Sequence, residues 1–117
     1  MLTESKEIAL KVVEILEDKK ALEVVALDIH SLTVIADYFI IASGRSESQV
    51  KALYQEVEDK LKKQGIEAKH RDGYQTSRWV ALDYGDVIVH IFHHEERGFY
   101  SLERLWADGI PLSVDNG

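Results

Sequence analysis

The sequence predicts an α/β fold: a single-domain sandwich in which a mixed sheet of about five strands is flanked by about three helices. Three observations predict it. Apolar residues recur at helical spacing in three stretches, with β-rich runs between them. Two of those runs are joined by Gly85-Asp86, a dipeptide that closes a two-residue hairpin. A strand, a capped helix and a further strand-like run also follow one another between residues 37 and 71, the order of a crossover unit.

Taken in order, Thr3 can cap a helix running to about Lys20, with Ile8, Val12, Ile15 and Leu16 as its apolar stripe. Lys11, Glu14 and Glu17 fall off that stripe and read as its solvated face. Residues 23–29 form a strand, closed by a polar turn at His30-Ser31. Residues 37–43 are apolar almost without interruption, which predicts a central strand covered on both sides. Gly44-Arg45 then lead into Ser46-Glu47-Ser48-Gln49, a capping box with Ser46 as N-cap and Gln49 returning the bond. Val50, Leu53, Tyr54, Val57 and Leu61 make one side of the helix that follows, and Gly65 ends it as a C′ residue. Residues 66–71 are expected as a third strand, giving strand–helix–strand and a right-handed parallel crossover. Asp72-Gly73 turns the chain towards the hairpin. His93-His94-Glu95-Glu96 links to a last helix over residues 97–106, where Phe99, Leu102, Leu105 and Trp106 keep helical spacing and Tyr100 also packs. Residues 1–106 make the folded core, and residues 107–117, with the only proline, Pro111, a loose tail.

The hairpin carries the most information. With a two-residue loop, Val80 opposes Ile91, Leu82 opposes Val89 and Tyr84 opposes Val87, an apolar face that packs on the core. The other face sets Trp79 against Phe92, Ala81 against His90 and Asp83 against Ile88, aromatic and polar together. Recognition surfaces are built this way. So is a face covered by one more helix with His90 and Asp83 at its edge, and the pattern leaves both readings open.

A chain of 117 residues, 45% hydrophobic and 30% charged, makes one globular domain. It has no cysteine, hence no disulfide and no thiol nucleophile. The N-terminus lacks the blocks of a signal or transit peptide, and no apolar run approaches the roughly 20 residues of a bilayer span. A soluble, cytoplasmic domain is expected. Net charge is −7, which disfavours direct nucleic-acid binding and permits docking on a basic protein. Asp83, Asp86, Glu95 and Glu96 are acidic in a stretch, residues 83–96, without lysine or arginine.

Candidate chemistry is sparse. Gly44-Arg45-Ser46 at a helix N-terminus could hold a phosphate and is similar to the Gly-Ser turn of nucleotidyltransferases. Those enzymes place magnesium-binding carboxylates on a strand soon afterwards, whereas Glu56, Glu58 and Asp59 fall on a helix and diverge around it. A capped strand-to-helix turn explains the motif without a ligand. His90, His93 and His94 lack the spacing to converge on one zinc ion, and His30 or His70 could join them only through the fold. There is no Gly-x-Ser-x-Gly elbow. No catalytic residue, metal site or cofactor is expected.

Three linked segments carry a resemblance: Asp37 to Gly44 with Ser46, Trp79 through Leu82-Asp83-Tyr84-Gly85-Asp86 to Phe92, and Arg97 through Phe99-Tyr100 and Leu102-Glu103 to Trp106. In order and spacing, over nearly the whole chain, they resemble the ribosomal silencing factor family, also called Iojap-like proteins. The resemblance implies a nucleotidyltransferase-like sandwich without the catalytic acids. It implies docking on the large ribosomal subunit through its fourteenth protein, on the face that meets the small subunit. Subunit joining would be blocked sterically and translation repressed under nutrient limitation, with no enzymatic step. The family's docking segment falls on Trp79, Leu82, Asp83, Tyr84, Asp86 and His90. The pairing above puts Leu82 and Tyr84 on the core face, so these two support the surface. Two other readings remain: a nucleotide- or phosphate-binding protein using residues 44–46, and a homodimer of the free protein that buries the mixed hairpin face.

Overall fold

The structure, a computed structural model, describes residues 5–29, 36–73, 78–94 and 110–111. Helix α1 (Ser5–Asp18) buries Ala9, Val12, Val13, Ile15 and Leu16, the stripe expected from helical spacing. Its expected cap, Thr3, lies outside the described residues. The helix closes in a Schellman arrangement: the Lys20 N–H donates to the Glu17 carbonyl and the Ala21 N–H to the Leu16 carbonyl, both at 2.9 Å. Lys20 therefore stands in the left-handed region, at φ 61°. A side chain there meets its own carbonyl, a cost glycine does not bear. Lys20→Gly is expected to raise stability by about 0.5–1 kcal/mol, read as an upward shift in the thermal midpoint. An unchanged or lower midpoint would show that the lysine side chain contributes more than the backbone loses.

Six strands follow: β1 (Leu22–Asp28), β2 (Tyr38–Gly44), β3 (His70–Asp72), β4 (Trp79–Asp83), β5 (Val87–His93) and β6 (Ile110–Pro111). They form one mixed sheet in the order β3-β4-β5-β2-β1-β6. β2 and β5 are parallel and every other pair is antiparallel. β1 carries a bulge between Leu22 and Val25, where Glu23 turns to φ 49°. Ile110 and Pro111, in the tail expected to be loose, pair with Asp28 and Leu27. The helix expected over residues 97–106 lies outside the described residues, as does the turn at His30-Ser31.

Helix α2 (Glu47–Lys62) starts as its sequence predicts, with the Ser46 hydroxyl accepting from the Gln49 N–H at 3.1 Å. The returning bond is displaced by one residue: Gln49 Oε1 accepts from the Arg45 N–H, and its Nε2 donates to the Lys20 carbonyl at 3.2 Å, tying α2 to the end of α1. At the other end Gly65, φ 79°, donates to the Lys62 carbonyl and Ile66 to Leu61, again a Schellman closure.

One expectation is corrected. Residues 66–71 do not supply the parallel partner of β2. The strand there is three exposed residues at the sheet edge, antiparallel to β4. The parallel partner is β5, in register from Tyr38 opposite Val87 to Gly44 opposite His93. Physical chemistry favours that choice. A strand buried on both faces must be largely apolar, and Val87 to Phe92, apolar but for His90, satisfies this where Glu67, Lys69, His70 and Arg71 do not.

Both helices pack on one side of the sheet. Val12, Leu16, Leu53 and Val57 meet Ile40, Ala42, Val80, Leu82, Val89 and Ile91 in the main core. A second apolar cluster lies on the other side, built from Leu27, Ile29, Ala36, Phe39, Ile41 and Phe92, with Val25, Trp79 and Ile88 packed against it.

Candidate recognition surface

The hairpin has the register its sequence predicts: Trp79 opposite Phe92, Val80 opposite Ile91, Ala81 opposite His90, Leu82 opposite Val89 and Asp83 opposite Ile88. The Tyr84 N–H donates to the Val87 carbonyl at 2.9 Å, leaving Gly85-Asp86 as the loop. Gly85 takes φ 92°, and its N–H donates to Asp83 Oδ1 at 2.7 Å. The Asp86 carbonyl receives the N–H groups of Asp37 and Tyr38 at 2.8 and 3.0 Å, so the turn is pinned to the start of β2.

Six residues are expected at the docking site, and the structure divides them. Leu82 is fully buried and Tyr84 is 8% exposed, both on the helix-bearing side. They support the ribbon, as the pairing predicts. Trp79 and His90 share the opposite face, where the indole N–H donates to His90 Nδ1 at 3.1 Å. Asp83 is half-buried and Asp86 exposed, both at the turn end of the ribbon. Asp83 is engaged by the Gly85 N–H, and Asp86 Oδ2 accepts from the Ser5 hydroxyl at 3.3 Å.

The Trp79 ring stacks on Phe92, with centroids 5.1 Å apart. Phe39, delivered by β2, meets His90 edge-on at 5.0 Å. His90 is buried, and burial pushes its imidazole down to about 4, so it is neutral at physiological pH. Its Nε2 has no hydrogen-bond partner among the described residues. The surface is thus a half-buried indole over a buried aromatic base of Phe39, His90 and Phe92, with carboxylates at one end. Phe92 was legible as the residue opposite Trp79, although nothing in the sequence marked it as the base of the site. Phe39 could not be found from sequence, because its place depends on β2 lying beside β5.

The other candidates resolve as structural features. At residues 44–46 the Arg45 N–H and the Gln49 N–H are both satisfied within the capping box. A Cβ on Gly44 would stand 2.9 Å from Val50 Cγ2, so the glycine permits close strand–helix packing. Glu58 pairs with Arg71 at 2.9 Å and Glu56 with Lys60 at 3.9 Å along α2, away from that turn. His93 and His94 stack on each other, centroids 4.8 Å apart. Among the described residues no group of three or more histidines and carboxylates is placed to hold a metal ion. Nor, among them, is any helix long and apolar enough to cross a membrane.

Fold and site together define a mixed-sheet α/β domain whose most developed feature is an aromatic and acidic β-ribbon. Comparison with known proteins makes the class specific. Residues 2–116 match the family described as "Ribosomal silencing factor during starvation", and the chain belongs to the ribosomal silencing factor family. It is 46% identical over 103 residues to ribosomal silencing factor RsfS of Halalkalibacterium halodurans, 88% of either chain. It is 43% identical over 101 residues to that of Bacillus subtilis, 86% of either chain. A crystal structure of a Chromobacterium violaceum protein superposes with a TM-score of 0.87 at 37% identity, covering 98% of this chain and 95% of that one.

Proposed function

We propose that this chain is a cytoplasmic translation repressor that docks on the large ribosomal subunit through its fourteenth protein and sterically blocks joining of the small subunit under nutrient limitation. The mechanism needs a firm footing and bulk, with no bond made or broken. The observation that carries this reading is the half-buried Trp79 indole, held by stacking on Phe92 and by its hydrogen bond to His90. A large ring fixed in this way loses little entropy when a partner covers it, which is how interface anchors work. Asp83 and Asp86, at the turn end of the same ribbon, suit the lysines and arginines of a ribosomal protein, in a chain of net charge −7. His90 orients the indole, while Leu82 and Tyr84 hold the ribbon against the core.

The test is a density-gradient profile of the protein mixed with separated subunits. Wild-type protein is expected to travel with the large subunit and to lower the yield of joined particles when the small subunit is added. Trp79→Ala is expected to weaken binding by about 2 kcal/mol, roughly 30-fold, while retaining its circular dichroism spectrum. Migration with neither subunit would overturn the reading, and wild-type binding by the folded variant would remove Trp79 from the interface.

A further inference from the structure

His90 stands on β5, between β4 with Trp79 and β2 with Phe39, and its bond to the indole decides where its proton sits. An indole N–H only donates, so Nδ1 accepts as a bare nitrogen and the single proton of the neutral imidazole lies on Nε2. That Nε2–H is enclosed by protein and has no hydrogen-bond partner among the described residues. Neither water nor a docked partner reaches it, so whatever receives it lies in the wall around the ring. Among the described residues three aromatic rings border the imidazole: Phe39, Trp79 and Phe92. An N–H lies in the plane of its own ring, so it enters a π face only where the second ring is steeply inclined to the first. Phe92, inclined by 20° at 6.4 Å, lies nearly parallel and does not qualify. Trp79, inclined by 43°, is on the Nδ1 side, where it gives its own N–H. Phe39 is inclined by 68° at 5.0 Å and comes from β2, across β5 from Trp79.

We propose that Phe39 is a positioning residue of the recognition surface: its ring face receives the His90 Nε2–H and holds the imidazole in the tautomer and plane in which Nδ1 accepts from the Trp79 indole. Three adjoining strands then carry one relay, from Phe39 to His90 to Trp79, each ring fixing the next. The choice of tautomer matters, because a proton on Nδ1 would face the indole N–H donor to donor. A π face also offsets part of the cost of enclosing the Nε2–H without a nitrogen or oxygen acceptor. The relay itself does not depend on the ribosome, whereas its effect on binding rests on the docking reading.

The test is NMR of the isotope-labelled full chain. Long-range proton–nitrogen correlations of the His90 ring are expected to show a protonated Nε2 and a bare Nδ1. The Nε2–H should be shielded by the Phe39 ring and in Overhauser contact with its protons. Phe39→Leu keeps apolar bulk and removes the π face. It is expected to fold, to populate both His90 tautomers and to let the Trp79 indole N–H exchange with solvent about 10-fold faster. Its affinity for the large subunit should fall about 5-fold. Phe39→Tyr keeps the face and should restore the wild-type tautomer and indole exchange, which a loss of packing alone would not disturb in this way. A proton on Nδ1 in the wild type, an Nε2–H without shielding, or a folded Phe39→Leu variant with wild-type tautomer and indole exchange would overturn the relay. If Phe39→Leu does not fold, the wild-type ring spectra decide by themselves. A variant with mixed tautomers and wild-type affinity for the large subunit would overturn the positioning role. Migration of the wild type with neither subunit overturns the docking reading alone, because the ring spectra judge the relay without any ribosome.

Discussion

Truncating Phe92 to alanine is expected to cost about 3–5 kcal/mol of folding stability, the largest effect of any single side chain in the recognition surface. Phe92 is fully buried and is among the largest fully buried side chains of the fold. It occupies β5 between Trp79 on β4 and Ser43 on β2. Its loss leaves a void bordered by a sheet backbone fixed through hydrogen bonds on both sides, which cannot close in to fill it. The second consequence is local. Trp79 stacks on this ring at 5.1 Å, so the indole loses its base and should become more mobile and more solvent-exposed. Urea unfolding measures the first effect, and the tryptophan fluorescence maximum of the folded variant reports the second. A loss of under about 1 kcal/mol would mean that the second apolar cluster contributes little to stability.

Acid should destabilise the protein through His90. In the folded state burial holds the imidazole at about 4, whereas in the unfolded chain it titrates near the ordinary value of 6.5. Above that ordinary value both states are neutral and the contribution is fully present. As pH falls from about 6.5 to about 4 the unfolded chain takes up a proton that the folded protein refuses, so stability drops, and below the folded value the loss levels off. The total is about 3 kcal/mol. The ring is enclosed by Trp79, Phe39 and Phe92, and its Nδ1 is occupied by the indole N–H, so an imidazolium would have to break that bond and find new solvation. Unfolding free energies of wild type and His90→Gln, measured from about pH 7 to about pH 4, should diverge by this amount, the wild type losing more. Parallel pH profiles would show that the imidazole accepts its proton in place.

Much of this architecture was legible in the chain because it is local. The two faces of the hairpin follow from a period of two and a turn dipeptide, and the register follows from loop length alone, so the pairings of Trp79 with Phe92 and Ala81 with His90 needed no tertiary information. The start of α2 was equally readable from Ser46 and Gln49, and its end from Gly65, because caps are short-range chemistry. The side of the sheet taken by each residue expected at the docking site was also available, since Leu82 and Tyr84 alternate with Trp79, Ala81 and Asp83.

Sequence by itself thus determined the α/β class, the helix stripes, the ribbon and the side of the ribbon on which each residue stands. Only the tertiary structure decided that β5, and not the polar run before β3, lies parallel to β2, because strand order is set by which apolar surfaces can be buried together across the whole chain. That choice brings Phe39 against His90 and makes an aromatic base out of two segments about fifty residues apart. It also seats Tyr84 under α2, near Glu58 and Arg71, with its hydroxyl enclosed by protein, which no local pattern foretells. Periodicity and capping act over a few residues and can be read directly, whereas adjacency between distant strands depends on a burial energy summed over the whole fold.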